Sequence, residues 1–241
     1  MTATVFATVA AGLLFSSSCA FAQESANEAL NSCVKREQLL TTAKGAGLGV
    51  LAGVTSMLIT HQSQHAVAGG AIGGVAGGIA GFTLAYYTAV GTCFKKNPSW
   101  LPESNLQRTK DYDKVRKEIR YKKSQGIVTR VESVAVAQPV KADSQAEVAS
   151  TFIVMTPDGA ETSATVERKL YVVGSDKKET EVPFPGHPAE QHTFEPGEQK
   201  DVVHIPIPHD AKSGSVYRVE FSLIAGDKPP ATASSQFIIT E

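Results

Sequence analysis

A chain of 241 residues, 42% hydrophobic and 7% aromatic, has room for one or two domains: a globular part joined to something unusually rich in small residues. Its net charge of −1 excludes a chain that is basic or acidic throughout, yet it conceals an asymmetry. Residues 23–126 carry 13 Lys/Arg against 7 Asp/Glu and residues 127–241 carry 10 against 17, or +6 and −7, as expected of two parts in different surroundings.

The first 22 residues are uncharged, with an apolar run from Val5 to Phe15 and then small residues ending in Ala20-Phe21-Ala22 before Gln23. This is the pattern of an export signal with an A-x-A cleavage site, although no basic residue precedes the run. A retained anchor fits less well, because the run is about half the ~20 residues a membrane span needs. Cys19 could mark a lipoprotein site, but Ser16 stands where that pattern wants a Leu-like residue. Removing the signal leaves Cys33 and Cys93, an even pair in a compartment where disulfides persist.

Residues 23–97 read as a glycine-zipper helical hairpin. Of 20 glycines, 12 lie between Gly45 and Gly91, in two uncharged segments, 45–60 and 66–94, joined by the polar tip His61-Gln62-Ser63-Gln64-His65. Gly45, Gly49 and Gly53 form one row at a spacing of four; Gly69, Gly73, Gly77 and Gly81 form another, beside a third at Gly70, Gly74 and Gly78. That spacing sets each row along one helix face, where missing side chains let another backbone approach. Positions facing each other across an antiparallel hairpin have a constant sum, and Gly53/Gly73, Gly49/Gly77, Gly45/Gly81 and Cys33/Cys93 all sum to 126. The spacing therefore predicts facing glycine rows and a Cys33–Cys93 disulfide closing the open end.

Eight glycines from Gly69 to Gly91 would cost on the order of 8 kcal/mol in an isolated aqueous helix. Close packing in lipid offsets such a cost. One helix can cover only one of two adjacent glycine rows, so Gly70, Gly74 and Gly78 are expected to face a second copy. In its repeat from Gly69 to Gly81 the segment resembles the glycine-zipper proteins of Gram-negative outer membranes, such as the rickettsial surface-antigen group, over residues 45–94. The resemblance implies membrane association and envelope integrity rather than chemistry. An inner-membrane hairpin is the second choice, since Lys35, Arg36, Lys44, Lys95 and Lys96 would flank its spans on the outside, against the positive-inside tendency.

Residues 98–126 form a charged connector. Glu103 to Lys123 holds eight basic and four acidic residues with scattered apolar ones, and reads as a short amphipathic helix able to lie on anionic lipid or to act as a solvated spacer. From residue 127 to 241 the period changes to two. Strands are expected at 127–137, 146–155, 165–173, 180–184, 202–207, 217–223 and 235–240, the count for an immunoglobulin-like sandwich, with Tyr217 near the start of its sixth strand. The fold class is therefore α+β and multidomain, a helical hairpin followed by an all-β sandwich.

Signals of chemistry are sparse. Gly47-Leu48-Gly49 with Gly53 lacks the strand that precedes a dinucleotide turn, and no Gly-x-Ser-x-Gly or phosphate loop occurs. Asp111 and Asp113, two apart on an expected helix, diverge. His61 and His65 share a helical spacing but have no third ligand nearby, and His187, His192, His204 and His209 read as solvated side chains. No catalytic residue, metal, cofactor or nucleic-acid partner is expected. The reading is a non-enzymatic envelope scaffold, membrane-associated and self-associating, with the sandwich binding an unidentified partner; the alternative is an oligomeric pore built from the hairpins.

Overall fold

A computed structural model describes the backbone of residues 18–46 and 79–241 and the side-chain surroundings of 26–40 and 80–241. Alternation builds most of it. In β5 (Thr162–Val173), Ala164, Val166, Arg168, Leu170 and Val172 turn inward while Thr165, Glu167, Lys169 and Tyr171 turn out. In β9 (Val216–Ile224), Tyr217, Val219, Phe221 and Leu223 do the same. Burying one face of each such strand requires a second layer, and two sheets supply it.

The first sheet runs β1 (Asn105–Asp111), β8 (Gly197–Pro206), β4 (Gln145–Met155), β2 (Val128–Val136). The second runs β3 (Val140–Lys141), β10 (Ala231–Thr240), β9, β5, β6 (Glu179–Val182), with β7 (Ala189–Phe194) also on β5. The pairings are antiparallel except β3 with β10. Strands β2, β4 and β8 stand as A, B and E of an immunoglobulin-like sandwich and β5, β9 and β10 as C, F and G, with β1 in the outer place of D. Tyr217 lies on the sixth of these strands, as expected, stacked on Phe237 with ring centres 5.2 Å apart.

The expected connector helix is replaced by two elements. Asn105–Asp111 pairs with β8, and only Tyr112–Glu118 is helical, as α3. The alternation of Asn105-Leu106-Gln107-Arg108-Thr109-Lys110 is almost wholly polar, because an edge strand with one half-buried apolar residue, Leu106, needs no apolar stripe. The Asp111 carboxylate then accepts from the Lys114 N–H at 2.8 Å and starts the helix. Strands β3 and β7 were likewise invisible to alternation, the one two residues long and the other polar. Gly197 has φ +150°, and a Cβ there would collide with the Lys110 carbonyl, so β1 can lie against β8 only because this residue is glycine.

Two helices, α1 (Ser18–Ala46) and α2 (Ile79–Lys96), share the sandwich core. α1 runs unbroken across the expected cleavage point between Ala22 and Gln23. Leu30, Val34, Tyr86, Tyr87 and Val90 pack with Val148, Ile205, Val172, Tyr217 and Phe237, inner-face residues of both sheets. The Tyr87 hydroxyl, wholly buried, donates to the Pro206 carbonyl at 3.1 Å, and Asn27 accepts from Gln145 at 2.7 Å. Cys33 and Cys93 form a disulfide, with Cα atoms 6.0 Å apart.

The contacts around that bond depart from an antiparallel register. Glu37, after Cys33, pairs with Lys96, after Cys93; Leu30 and Tyr86, before the two cysteines, line one small cavity. The differences are 59, 60 and 56 and the sums 133, 126 and 116, so it is the difference that holds nearly constant. Around the disulfide the helices thus run in the same sense. The physical reason is the sandwich: α2 turns Tyr86, Tyr87 and Val90 onto it, and α1 follows with Leu30 and Val34 into the same core. Among the described residues no helix is long and apolar enough to cross a membrane.

The disulfide closes a sequence separation of 60 residues, for which chain-entropy reasoning gives about 4 kcal/mol of stabilisation. Replacing Cys33 and Cys93 together by Ala should lower the unfolding free energy by about that amount in urea titration. An unchanged midpoint would mean that packing alone holds α1 and α2 in place.

Candidate functional site

The charged residues that alternation carries inward define the most unusual place in the body. Arg168 falls in phase with Val166 and Leu170, and Asp201 of β8 in phase with Gln199 and Val203, so the two meet between the sheets at 3% and 1% exposure. Arg168 Nε donates to Asp201 Oδ2 at 2.8 Å; Nη1 donates to Glu190 Oε2 at 2.6 Å and to the His187 carbonyl at 3.1 Å. Local topology explains the second pair of contacts. Arg168 stands where β5 exchanges one edge partner for another: β7 ends its pairing at Glu167, β6 begins at Leu170, and the segment between them presents its carbonyls to the gap. The Arg168 N–H takes the Pro188 carbonyl at 2.7 Å.

Beside this network a cavity of about 300 Å³ opens between the end of α2, the stretch after it and the sandwich. Phe94, Leu101, Phe184 and Val203 give it an apolar floor, and Glu103, Glu190, His187 and His204 a polar rim. His187 meets the Phe94 ring edge-on at 5.1 Å. His204 Nε2 lies 3.8 Å from Glu147 Oε2, while its Nδ1 is buried without a hydrogen bond. His192 Nε2, also buried without one, lies 4.0 Å from Glu190 Oε2. Ser104 Oγ reaches the same Glu190 oxygen at 3.4 Å. Burial works to raise the Glu190 carboxyl, but the hydrogen bond and charge of Arg168 outweigh it and hold the group below its ordinary value.

Of the histidines expected in solvent, His187 is exposed at the cavity, while His192 and His204 are half-buried, His192 beside Glu190 and His204 beside Glu147. His209 is half exposed and pairs with its neighbour Asp210. The arrangement offers apolar contact, hydrogen-bond acceptors and imidazoles, a set suited to binding. Among the described residues no group of three or more His, Cys, Asp or Glu is placed to hold a metal ion. Sequence reading passed over Arg168, Asp201 and Glu190; for the first two the available signal was a charge in phase with buried apolar positions.

Of the residues that the glycine and cysteine spacing marks, Cys33 and Cys93 are joined. Gly45 lies in the last turn of α1 and Gly81 in the first turn of α2. Gly49, Gly53, Gly69, Gly70, Gly73, Gly74, Gly77, Gly78, His61 and His65 lie outside the described residues.

No protein-family model matches the chain, and no curated protein does. Solved structures do. A family 123 glycoside hydrolase from Clostridium perfringens is 12% identical, with 47% of this chain covered and 27% of that one, at a TM-score of 0.31. A CARDB domain from Pyrococcus furiosus is 14% identical, with 48% and 94% covered, at 0.33. Red sea bream transglutaminase is 14% identical, with 54% and 18% covered, at 0.33. The chain thus spans about a quarter of the first of these, and likeness at this level carries nothing about function.

Arg168→Met, which leaves Asp201 buried and unpaired, should cost about 3–5 kcal/mol in chemical denaturation, and adding Asp201→Leu should restore most of it. A double variant no more stable than the single one would refute the pairing argument. Glu190 has a folded-state value below its ordinary 4.5, so its stabilisation is complete above about 4.5 and fades as pH falls through the folded value. The stability gap between the wild type and Glu190→Gln should accordingly narrow from pH 6 to pH 3; a gap independent of pH would show that the carboxylate's charge contributes nothing.

Proposed function

We propose that the chain is an exported, non-enzymatic scaffold of the cell envelope, at the outer membrane or facing the periplasm. In this reading the glycine-rich segment provides membrane association and self-assembly, and the immunoglobulin-like sandwich presents a surface to a protein or other envelope partner. The observation that carries it is the Cys33–Cys93 disulfide, which clasps the helices at either end of the glycine-rich stretch to each other beside the sandwich core. A bond of this kind persists in an oxidising compartment, in keeping with the export signal read at Ala20-Phe21-Ala22.

The stretch so held supports the rest. Between Ala46 and Ile79 there is no Asp, Glu, Lys or Arg, and glycine recurs every four residues along Gly69, Gly73 and Gly77 and along Gly70, Gly74 and Gly78. Helices of that composition are poor in water and gain most where another backbone or lipid covers them. Its likeness to glycine-zipper envelope proteins points the same way. A scaffold needs no chemistry of its own, only a rigid link between what anchors it and what it holds; α2 provides that link by packing against both sheets.

Membrane fractionation with a non-reducing gel on the same fractions tests the reading. Expected are sedimentation with the outer membrane, an oligomeric band and no free thiol; a soluble monomer in every fraction would overturn it. Gly74→Leu should reduce assembly size in light scattering while leaving the thermal unfolding of the sandwich unchanged. Assemblies of unaltered size would remove self-association through that row.

A further inference from the structure

The sandwich has two chemically different ends, set apart along β4. At its start Gln145 holds Asn27 of α1; at its finish Met155 is covered by Val115 and Tyr121, on and just after α3. Ten residue steps of strand at roughly 3.4 Å separate them by about 34 Å. At the α3 end Lys114, Arg116, Lys117, Arg120, Lys122 and Lys123 are all exposed. The carboxylates around them are mostly engaged: Asp111 caps α3, while Glu118 and Glu198 both pair with Lys110, at 2.9 and 2.8 Å. Asp113 and Asp158 remain close by, and no ion pair among the described residues takes any of the six cations.

Burial of the cap's apolar residues decides what such a surface fits. Val115 and Tyr121 point into Ile153 and Met155, so the cap presents charge without an apolar wedge. That suits a broad layer of negative charge rather than a greasy groove. In an oxidising compartment, where the export proposed above would place the chain, the phosphates of anionic lipid headgroups form such a layer.

We infer that the α3 cap docks by charge on an anionic phospholipid surface, at the end of the body remote from the helices that carry the glycine-rich segment. The contact stands without the membrane role proposed for that segment. Where both hold, the chain links two surfaces across the length of its sandwich.

The test uses the full chain and flotation with phosphatidylcholine vesicles, with or without phosphatidylglycerol. Binding that depends on phosphatidylglycerol should appear at low salt and disappear at high salt. Arg116→Gln with Lys117→Gln should weaken it about 30-fold, at about one kilocalorie for each cation removed. Unchanged circular dichroism keeps that loss from being one of folding. If the chain already resides in neutral vesicles, the readout becomes capture of separate, dye-labelled anionic vesicles, which the double variant should lose. Equal binding or capture by wild type and variant would overturn the inference. Salt-resistant association with neutral vesicles, by contrast, reports the glycine-rich segment; its absence would count against that segment's proposed role and leave the charge-dependent result as measured.

Discussion

A guanidinium placed between two β-sheets must be neutralised where it stands, and much of the sandwich is arranged around that requirement. Arg168 enters from β5 and Asp201 from β8, so their bond joins the two sheets across the core. It also divides the core. Leu170, Val172 and Ile205 pack with the helices on one side, Phe152, Val166 and Phe221 form a separate cluster on the other, and the ion pair lies at the level between. Arg168 Nη1 reaches Glu190 and the His187 carbonyl, which fixes the segment between β6 and β7 and with it one wall of the cavity. A buried ion pair is weak evidence of stability, because desolvation opposes attraction. Its stronger effect here is on register, since a one-residue slip of β5 or β8 would turn one charge outward and strand the other.

The helices depend on the same geometry. The inner faces of the sandwich on that side of the ion pair are covered by Tyr86, Tyr87, Leu30 and Val34 rather than by more strand. Burial pushes the hydroxyl pKa of Tyr87 well up, and its bond to the Pro206 carbonyl satisfies a donor that would otherwise be stranded. What looks in sequence like the base of an independent hairpin is in structure part of the sandwich core. Whatever the glycine-rich stretch engages is mechanically coupled to the sheets through α2.

Legibility followed burial. Strands with one buried face announced themselves by alternation, and β2, β4, β5, β8, β9 and β10 lie where that pattern put them, within a few residues. β1 and β7 did not, because edge strands whose outer groups meet solvent can be polar at nearly every position. The cysteine pairing shows how a correct conclusion can rest on an incomplete premise. Cys33 and Cys93 fit the constant sum of an antiparallel hairpin, yet the helices around them keep a constant difference, and a single pair satisfies both rules equally. Only flanking contacts separate the two, and those are set by the sandwich, which the spacing of glycines does not encode. Arg168 was legible in principle: a cation in phase with valine and leucine either breaks a strand or finds a partner, and its partner lay in a segment too polar to draw notice.

Charge takes on a different meaning once the fold is known. By sequence the chain splits into a basic first half and an acidic second half, as though two domains lived in two environments. In the structure the basic half is itself divided, because β1 carries the chain from the helices to the opposite end of the body. Lys35, Arg36, Lys95 and Lys96 remain exposed beside the disulfide, and the cations from Lys114 to Lys123 are exposed around α3. Most acidic residues belong to the sandwich and its loops. The basic residues of the first half are thus split between two places by an edge strand, where the polar run predicts a helix.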